Sequence, residues 1–92
     1  MQIFEKLSSL IHERRVKPMA GSYTCSLFEA GENKIIKKLG EENAEYIRAF
    51  LTQPDNELAG EAADYIYHLM VSLEYRGVSF DAVAKILEER YK

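Results

Sequence analysis

From Leu58 to Leu73 nearly every side chain is apolar, and the four polar ones, Glu61, Asp64, His68 and Ser72, fall at i, i+3, i+7 and i+11. On a helix that spacing is a single narrow stripe. A solvated face would be wider and would carry Lys and Arg as well. A helix apolar on every other side is normally buried. In a chain of 92 residues the core is thin. The far face of this helix therefore needs a cover, and a second copy of the chain is the simplest one. Two carboxylates on a buried helix also need partners, because an unpaired buried charge is costly.

The preceding segment offers them company. Glu41-Glu42-x-x-Glu45 repeats the spacing of Glu61-x-x-Asp64, and Thr52-Gln53-Pro54-Asp55-Asn56 separates the two clusters as a short breaker. Spacings of i, i+3 or i, i+4 put carboxylates on one helix face. If the breaker folds the chain into an αα-hairpin, the faces meet. Four or five facing carboxylates make a hard-cation site whose oxygen ligands suit Mg²⁺. The simpler alternative pairs Glu61 and Asp64 with Lys or Arg from another helix.

Glu32 to Leu51 reads as the helix carrying the first cluster. Ile35, Ile36, Leu39, Tyr46, Ile47, Phe50 and Leu51 form its apolar side. Lys34, Lys37, Lys38, Glu41, Glu42 and Glu45 form the opposite stripe, lysines first and glutamates after. The helix dipole favours the reverse order. A polyanionic substrate accounts for the split, with glutamates on a metal and lysines on further phosphates. Ordinary i, i+4 pairs, Lys37–Glu41 and Lys38–Glu42, account for it more simply. Gly40 and Gly60, each beside a glutamate, can permit close helix approach at the site, or Gly60 simply lies near a helix start.

Composition narrows the function classes. The chain is 47% apolar and 29% charged, with a net charge of −3, so it is ordinary globular material and no basic tract marks a nucleic-acid platform. The length fits one domain over residues 1–92. Cys25 is the only cysteine, which excludes an intrachain disulfide and any zinc site needing two thiolates. A reducing cytoplasm is the default compartment. The N-terminus lacks a run of signal-peptide length, and no stretch approaches a membrane span of ~20 apolar residues.

The remaining segments fill out an all-α reading of four to five helices. Ile3, Phe4, Leu7, Leu10 and Ile11 recur at helical spacing over residues 1–15. Arg14 and Arg15 close that helix, either as complements to its dipole or as phosphate contacts. Residues 16–26 read as a connector punctuated by Pro18 and Gly21, in which the hydroxyls of Ser22, Tyr23 and Thr24 serve local turns or a ribose or phosphate. Residues 27–31 form a short helical turn ending at Gly31. Asp55 or Asn56 is the expected cap of the third long helix, which runs to about Arg76 before Gly77 stops it. Ser79 caps a last helix from Phe80 to about Tyr91. No strand, repeat or linker stands out.

GSYTCSLFEAGENKIIKKLGEENAEYI followed by GEAADYIYHLMVSLEYRGVSFDAVAKILEERY resembles the phosphoribosyl-ATP pyrophosphatase family of histidine biosynthesis. The paired ExxE and ExxD motifs mark the broader all-α, MazG-like nucleotide pyrophosphohydrolases. The Ser22-Tyr23-Thr24 segment and Tyr67-His68 narrow the match. Asn43 departs from the family's usual alanine and is expected to face away from the metal. The resemblance implies Mg²⁺-dependent hydrolysis (Mn²⁺ a possible substitute) of the α–β phosphoanhydride of 1-(5-phosphoribosyl)-ATP, giving 1-(5-phosphoribosyl)-AMP and pyrophosphate. It implies that Glu42, Glu45, Glu61 and Asp64 bind metal, with Glu41 and Glu42 as the catalytic carboxylates; Glu41 is a ligand, a water-orienting base or the partner of Lys37. Lys34, Lys37 and Lys38 would hold phosphates, and Ser22, Tyr23 and Thr24 the ribose or phosphate end. Tyr67 would support the metal-binding carboxylates from behind, and His68 would either orient a carboxylate in the same way or serve the structure alone. It implies a homodimer with sites near the interface, where Arg14, Arg15 or Lys17 reaches the neighbour's substrate, and a stand-alone pyrophosphatase without the zinc cyclohydrolase found fused in some relatives.

Two other readings compete. One is a house-cleaning NTP pyrophosphohydrolase with the same metal site and another base pocket. The other is a non-catalytic dimeric helix bundle acting as an interaction module, which predicts tolerance of Glu45→Gln and Asp64→Asn.

Overall fold

Ile11, Leu27, Ile35, Met70 and Val71 converge from four separate helices into one apolar cluster, with Phe4, Leu7, Phe28, Ile66, Tyr67 and Phe80 packed against it. A computed structural model describes residues 2–92. Its order is α1 (Gln2–Val16), α2 (Tyr23–Ala30), α3 (Glu32–Thr52), α4 (Asp55–Tyr75) and α5 (Phe80–Arg90), with no strand among the described residues. No helix is long and apolar enough to cross a membrane among those residues.

α3 and α4 form the most extensive pairing and give the bundle its spine. They are the two arms of the expected αα-hairpin, joined through Gln53 and Pro54. The cap of α4 differs from the sequence expectation. Pro54 itself takes the cap position, at φ −66° and ψ 161°, and its carbonyl accepts from the N–H groups of Glu57 and Leu58. Asp55 and Glu57 instead occupy the first turn, where their charges face the positive end of the helix dipole. Proline's ring already holds the φ that a cap residue needs, so the side chains after it are not required for capping.

The connector expected over residues 16–26 is shorter than its sequence suggests. α2 starts at Tyr23, because the Ser22 hydroxyl accepts from the Cys25 N–H at 3.1 Å. Gly21 turns the chain into that cap at φ 82°. Burial of Leu27 then holds the short helix against the core. Gly31 serves at once as the end of α2 and the start of α3, at φ 93°. The Tyr75 hydroxyl lies 3.7 Å from where a side chain there would begin. By contrast, side chains at Gly40 and Gly60 would meet nothing within 4 Å, so neither marks the close helix approach expected of it.

The other end of α4 closes as Gly77 predicts. The Val78 N–H reaches the Leu73 carbonyl and the Gly77 N–H reaches that of Glu74, both at 2.9 Å, a Schellman motif. Ser79 caps α5 by accepting from the Ala82 N–H at 3.3 Å, as expected. α5 leans on α1 through the Phe4 and Phe80 rings, 5.7 Å apart, and buries none of its residues fully.

α4 is apolar on nearly every side, yet one chain does not bury it on every side. Leu69 and Tyr75 remain about two-fifths exposed, at 38% and 40%. On α3, Phe50 and Leu51 are 66% and 72% exposed. The helices of one chain are too few to cover both faces of the hairpin.

Candidate active site

The α3–α4 hairpin sets two acidic stripes against each other. Glu42 and Glu45 on α3 and Glu61 on α4 each offer a carboxylate oxygen, and the three oxygens all lie within 4.8 Å of one another. Glu42 is the sheltered member of the α3 pair, with its side chain 12% exposed, while that of Glu41 is 48% exposed. Glu61 Oε2 is buried and has no hydrogen-bond partner. Burial, together with the adjacent Glu45 and then Asp64 and Glu42, pushes the Glu61 carboxyl above the ordinary glutamate range. Buried carboxylates ordinarily find a donor; this one faces other acids.

Asp64 does not join that group of three. Its side chain is exposed, one turn along α4 from Glu61, close enough to act on the Glu61 charge. Its backbone carbonyl accepts from His68 Nδ1 at 2.9 Å. Because a carbonyl only accepts, Nδ1 donates that bond, and Nε2 is hydrogen-bonded to the Tyr23 hydroxyl at 3.1 Å. His68 is 7% exposed, and these two bonds use both of its ring nitrogens.

Tyr23 thereby brings α2 to the acidic hairpin. The neighbouring Thr24 hydroxyl bonds the Tyr67 hydroxyl, and the Tyr23 and Tyr67 rings stack with centroids 6.3 Å apart. Burial raises the Tyr67 hydroxyl above its usual range, so it stays protonated at neutral pH. The hydroxyls of Ser22, Tyr23 and Thr24 are thus all engaged within the chain, the first in the α2 cap. Tyr23 still exposes half of its surface.

The three lysines fare differently. Lys38 Nζ lies 3.5 Å from Glu41 and 3.7 Å from Glu42, at the margin of the acidic group. Partial burial works against its charge, but Tyr23, Glu41 and Glu42 outweigh that and hold the ammonium above its ordinary range. Lys34 and Lys37 are exposed and make no ion pair among the described residues, so the Lys37–Glu41 pair considered from sequence does not form.

Arg14 and Arg15 stand apart from this group. The Arg15 guanidinium and His12 Nδ1 both meet Glu74 Oε2, tying α1 to α4. Arg14 and Arg15 line a cavity of about 590 Å³ with Pro18, Cys25, Phe28, Glu29 and Tyr75, and none of the clustered glutamates reaches it.

Sequence reasoning passed over one contact beside the acids. Asn43 Nδ2 donates to the Tyr65 hydroxyl at 2.7 Å, across from α3 to α4. The clue was available: a tyrosine inside an apolar run needs a hydrogen-bond partner when buried.

All donors in the acidic group are carboxylate oxygens, drawn from two helices, with one buried oxygen unpartnered. That is the chemistry of a hard divalent cation site. Such a site beside the exposed Lys34 and Lys37 suits a phosphorylated ligand.

Comparison with known proteins bears on the same helices. The family model for phosphoribosyl-ATP pyrophosphohydrolase matches residues 4–91. The phosphoribosyl-ATP pyrophosphatase of Lactiplantibacillus plantarum is 48% identical over 90 residues, covering 98% of this chain and 85% of that protein. That of Clostridium botulinum (strain Kyoto) is 41% identical over 88 residues, covering 96% of this chain and 80% of that protein. The histidine biosynthesis bifunctional protein HisIE of Parasynechococcus marenigrum is 46% identical over 85 residues, covering 92% of this chain. The chain spans 38% of the length of that bifunctional relative. The family match runs from the first turn of α1 to the residue that caps α5 and takes in every helix that builds the acidic group, so the chain belongs to the phosphoribosyl-ATP pyrophosphohydrolase family.

Proposed function

We propose that this chain hydrolyses the α–β phosphoanhydride of 1-(5-phosphoribosyl)-ATP to 1-(5-phosphoribosyl)-AMP and pyrophosphate, the second step of histidine biosynthesis. The observation that carries the reading is the gathering of the Glu42, Glu45 and Glu61 carboxylates across the hairpin, with a buried, unpartnered oxygen on Glu61. The residues fit Mg²⁺, or Mn²⁺ in its place. Glu42, Glu45 and Glu61 would hold it, with Asp64 turning in from the next turn of α4. When bound, such an ion neutralises phosphate charge and favours ionisation of nearby water.

The chain's own residues supply the rest. Glu41, half exposed and paired with Lys38, would take the proton of the attacking water, and Glu42 would orient it. Lys38 binds phosphate oxygens close to the carboxylates, and Lys34 and Lys37 bind those farther along α3. The half-exposed ring of Tyr23 borders the ribose end, with Ser22 and Thr24 shaping the turn beneath it. Arg15 is occupied by Glu74, which leaves Arg14 as the arginine free to reach a phosphate.

The exposed apolar residues of α3 and the uncovered side of α4 favour a homodimer, in which a second copy covers Phe50 and Leu51. A cytoplasmic enzyme acting on a soluble nucleotide fits the single free cysteine.

The test is pyrophosphate release from 1-(5-phosphoribosyl)-ATP, with Mg²⁺ and with chelator, beside ATP. Mg²⁺-dependent release from phosphoribosyl-ATP in clear preference to ATP is the expected result. A folded protein that releases no pyrophosphate with Mg²⁺ present sinks the reading.

A further inference from the structure

Asn43 and Tyr65 stand beside the acidic group without belonging to it. Asn43 follows Glu42 on α3 and precedes Glu45 by two residues; Tyr65 follows Asp64 on α4 and lies one turn beyond Glu61. Asn43 Nδ2 donates to Tyr65 Oη at 2.7 Å, both side chains part-buried. This side-chain hydrogen bond joins α3 directly to α4. Next to it the rings of Tyr46 and Tyr65 meet at 6.2 Å and 43°. Tyr46 in turn follows Glu45.

Adjacent helix residues are rotated about 100° from one another. Asn43 therefore cannot share the direction of Glu42. A bond from Asn43 to α4 fixes both how far apart the helices stand and how each is turned about its axis. The group it adjoins works against that spacing. The carboxylates of Glu42 and Glu45 crowd that of Glu61 across the hairpin, and no cationic side chain pairs with Glu45 or Glu61 among the described residues. Crowding alone would rotate or part the two helices at this level.

We propose that Asn43 and Tyr65 are positioning residues: their hydrogen bond holds α3 and α4 at the separation and rotation in which Glu42, Glu45 and Glu61 converge, and so sets the affinity for the divalent cation. The inference rests on the metal-dependent reading above. It assigns neither residue a contact with substrate. The bond acts by keeping the ligands gathered before the cation arrives, so less free energy is lost in drawing them together.

Tyr65→Phe removes only the hydroxyl, and Asn43→Ala removes the carboxamide that donates to it. Binding of Mn²⁺ to the metal-free full chain is followed by electron paramagnetic resonance, and pyrophosphate release is titrated with Mg²⁺. Each variant is expected to weaken Mn²⁺ binding roughly fivefold, the effect of one net hydrogen bond. The Mg²⁺ concentration for half-maximal rate should rise in parallel, while kcat at saturating Mg²⁺ stays within about twofold of the parent, as expected when only ground-state organisation is lost. The double variant should be no worse than either single one, because both remove the same bond. A purely structural bond would lower thermal stability in chelator and leave the Mn²⁺ affinity unchanged. Parent and folded Tyr65→Phe chains binding Mn²⁺ equally well would overturn this inference alone. A parent chain that binds no Mn²⁺ would overturn the metal reading, and this inference with it.

Discussion

The Tyr23 hydroxyl sits 3.1 Å from His68 Nε2, and through that bond the first turn of α2 is fastened to α4 one turn beyond Asp64. The other ring nitrogen of His68 bonds the Asp64 carbonyl at 2.9 Å. His68 is almost wholly buried, so losing its partner leaves Nε2 unsatisfied. Tyr23→Phe should therefore destabilise the chain by about 1–3 kcal/mol, the cost of an orphaned buried polar group. Urea unfolding monitored by circular dichroism measures it. A variant as stable as the parent would mean that water replaces the hydroxyl without cost.

Much of this arrangement was legible before any coordinates. Paired acidic spacings around Pro54 predict the hairpin, because period and breaker are local properties. The Ser79 cap and the Gly77 stop of α4 are local for the same reason. What failed was where local signals compete. Ser22 was open to capping or turning, and only the burial of Leu27 decides that a helix follows it. Asp55 looked like a cap, but Pro54 had already taken the position. Convergence of Glu42, Glu45 and Glu61, with Asp64 turned outward, depends on how α3 and α4 are rotated against each other. So does the Asn43–Tyr65 bond. Helix rotation is a tertiary property that no spacing within one helix records.

Glu61 gives the metal-free chain a pH dependence of definite sign. Its carboxyl is raised in the fold, chiefly by burial and then by Glu45. A raised acid favours the folded state where it is protonated, at and below the ordinary glutamate range. That contribution is lost as pH rises through the elevated folded value. In chelator, the melting temperature should fall as pH climbs from that range toward neutrality. Glu61→Gln should flatten the dependence and abolish Mg²⁺-dependent pyrophosphate release. An equally steep profile in Glu61→Gln would assign the effect to another carboxylate.

Cys25 should be more reactive than an ordinary thiol. The Met19 N–H points at its sulfur from 3.3 Å, and Ser22 and Arg14 also favour the thiolate, against a smaller penalty from burial. Its pKa is thereby lowered. The rate of alkylation by iodoacetamide, followed by mass spectrometry across pH, should rise at lower pH than for the same cysteine in the urea-unfolded chain. Ser22→Ala should move the folded profile toward the unfolded one. Coincident folded and unfolded profiles would show that the Met19 contact does not persist in solution.

Lys38 separates cation binding from substrate binding. It is the lysine that meets the acidic group, 3.5 Å from Glu41 and 3.7 Å from Glu42, while Lys34 and Lys37 extend into solvent. Before a divalent ion binds, its ammonium partly neutralises those carboxylates and so competes with the ion. In the proposed reaction the same ammonium would then donate to the phosphates at the point where charge develops. The two roles predict opposite responses in Lys38→Met. Mn²⁺ affinity of the metal-free chain should rise or hold, because a competing cation has gone. kcat/KM for pyrophosphate release at saturating Mg²⁺ should fall by about a hundredfold, the scale of one lost charge-stabilising donor. Lys34→Met and Lys37→Met should lose far less, because solvent screens their charges. Calorimetric Mn²⁺ binding and steady-state kinetics on the three variants decide the order. If Lys38→Met instead loses Mn²⁺ affinity and the kinetic deficit disappears with excess Mg²⁺, the ammonium serves to organise Glu41 and Glu42 and does not bind phosphate.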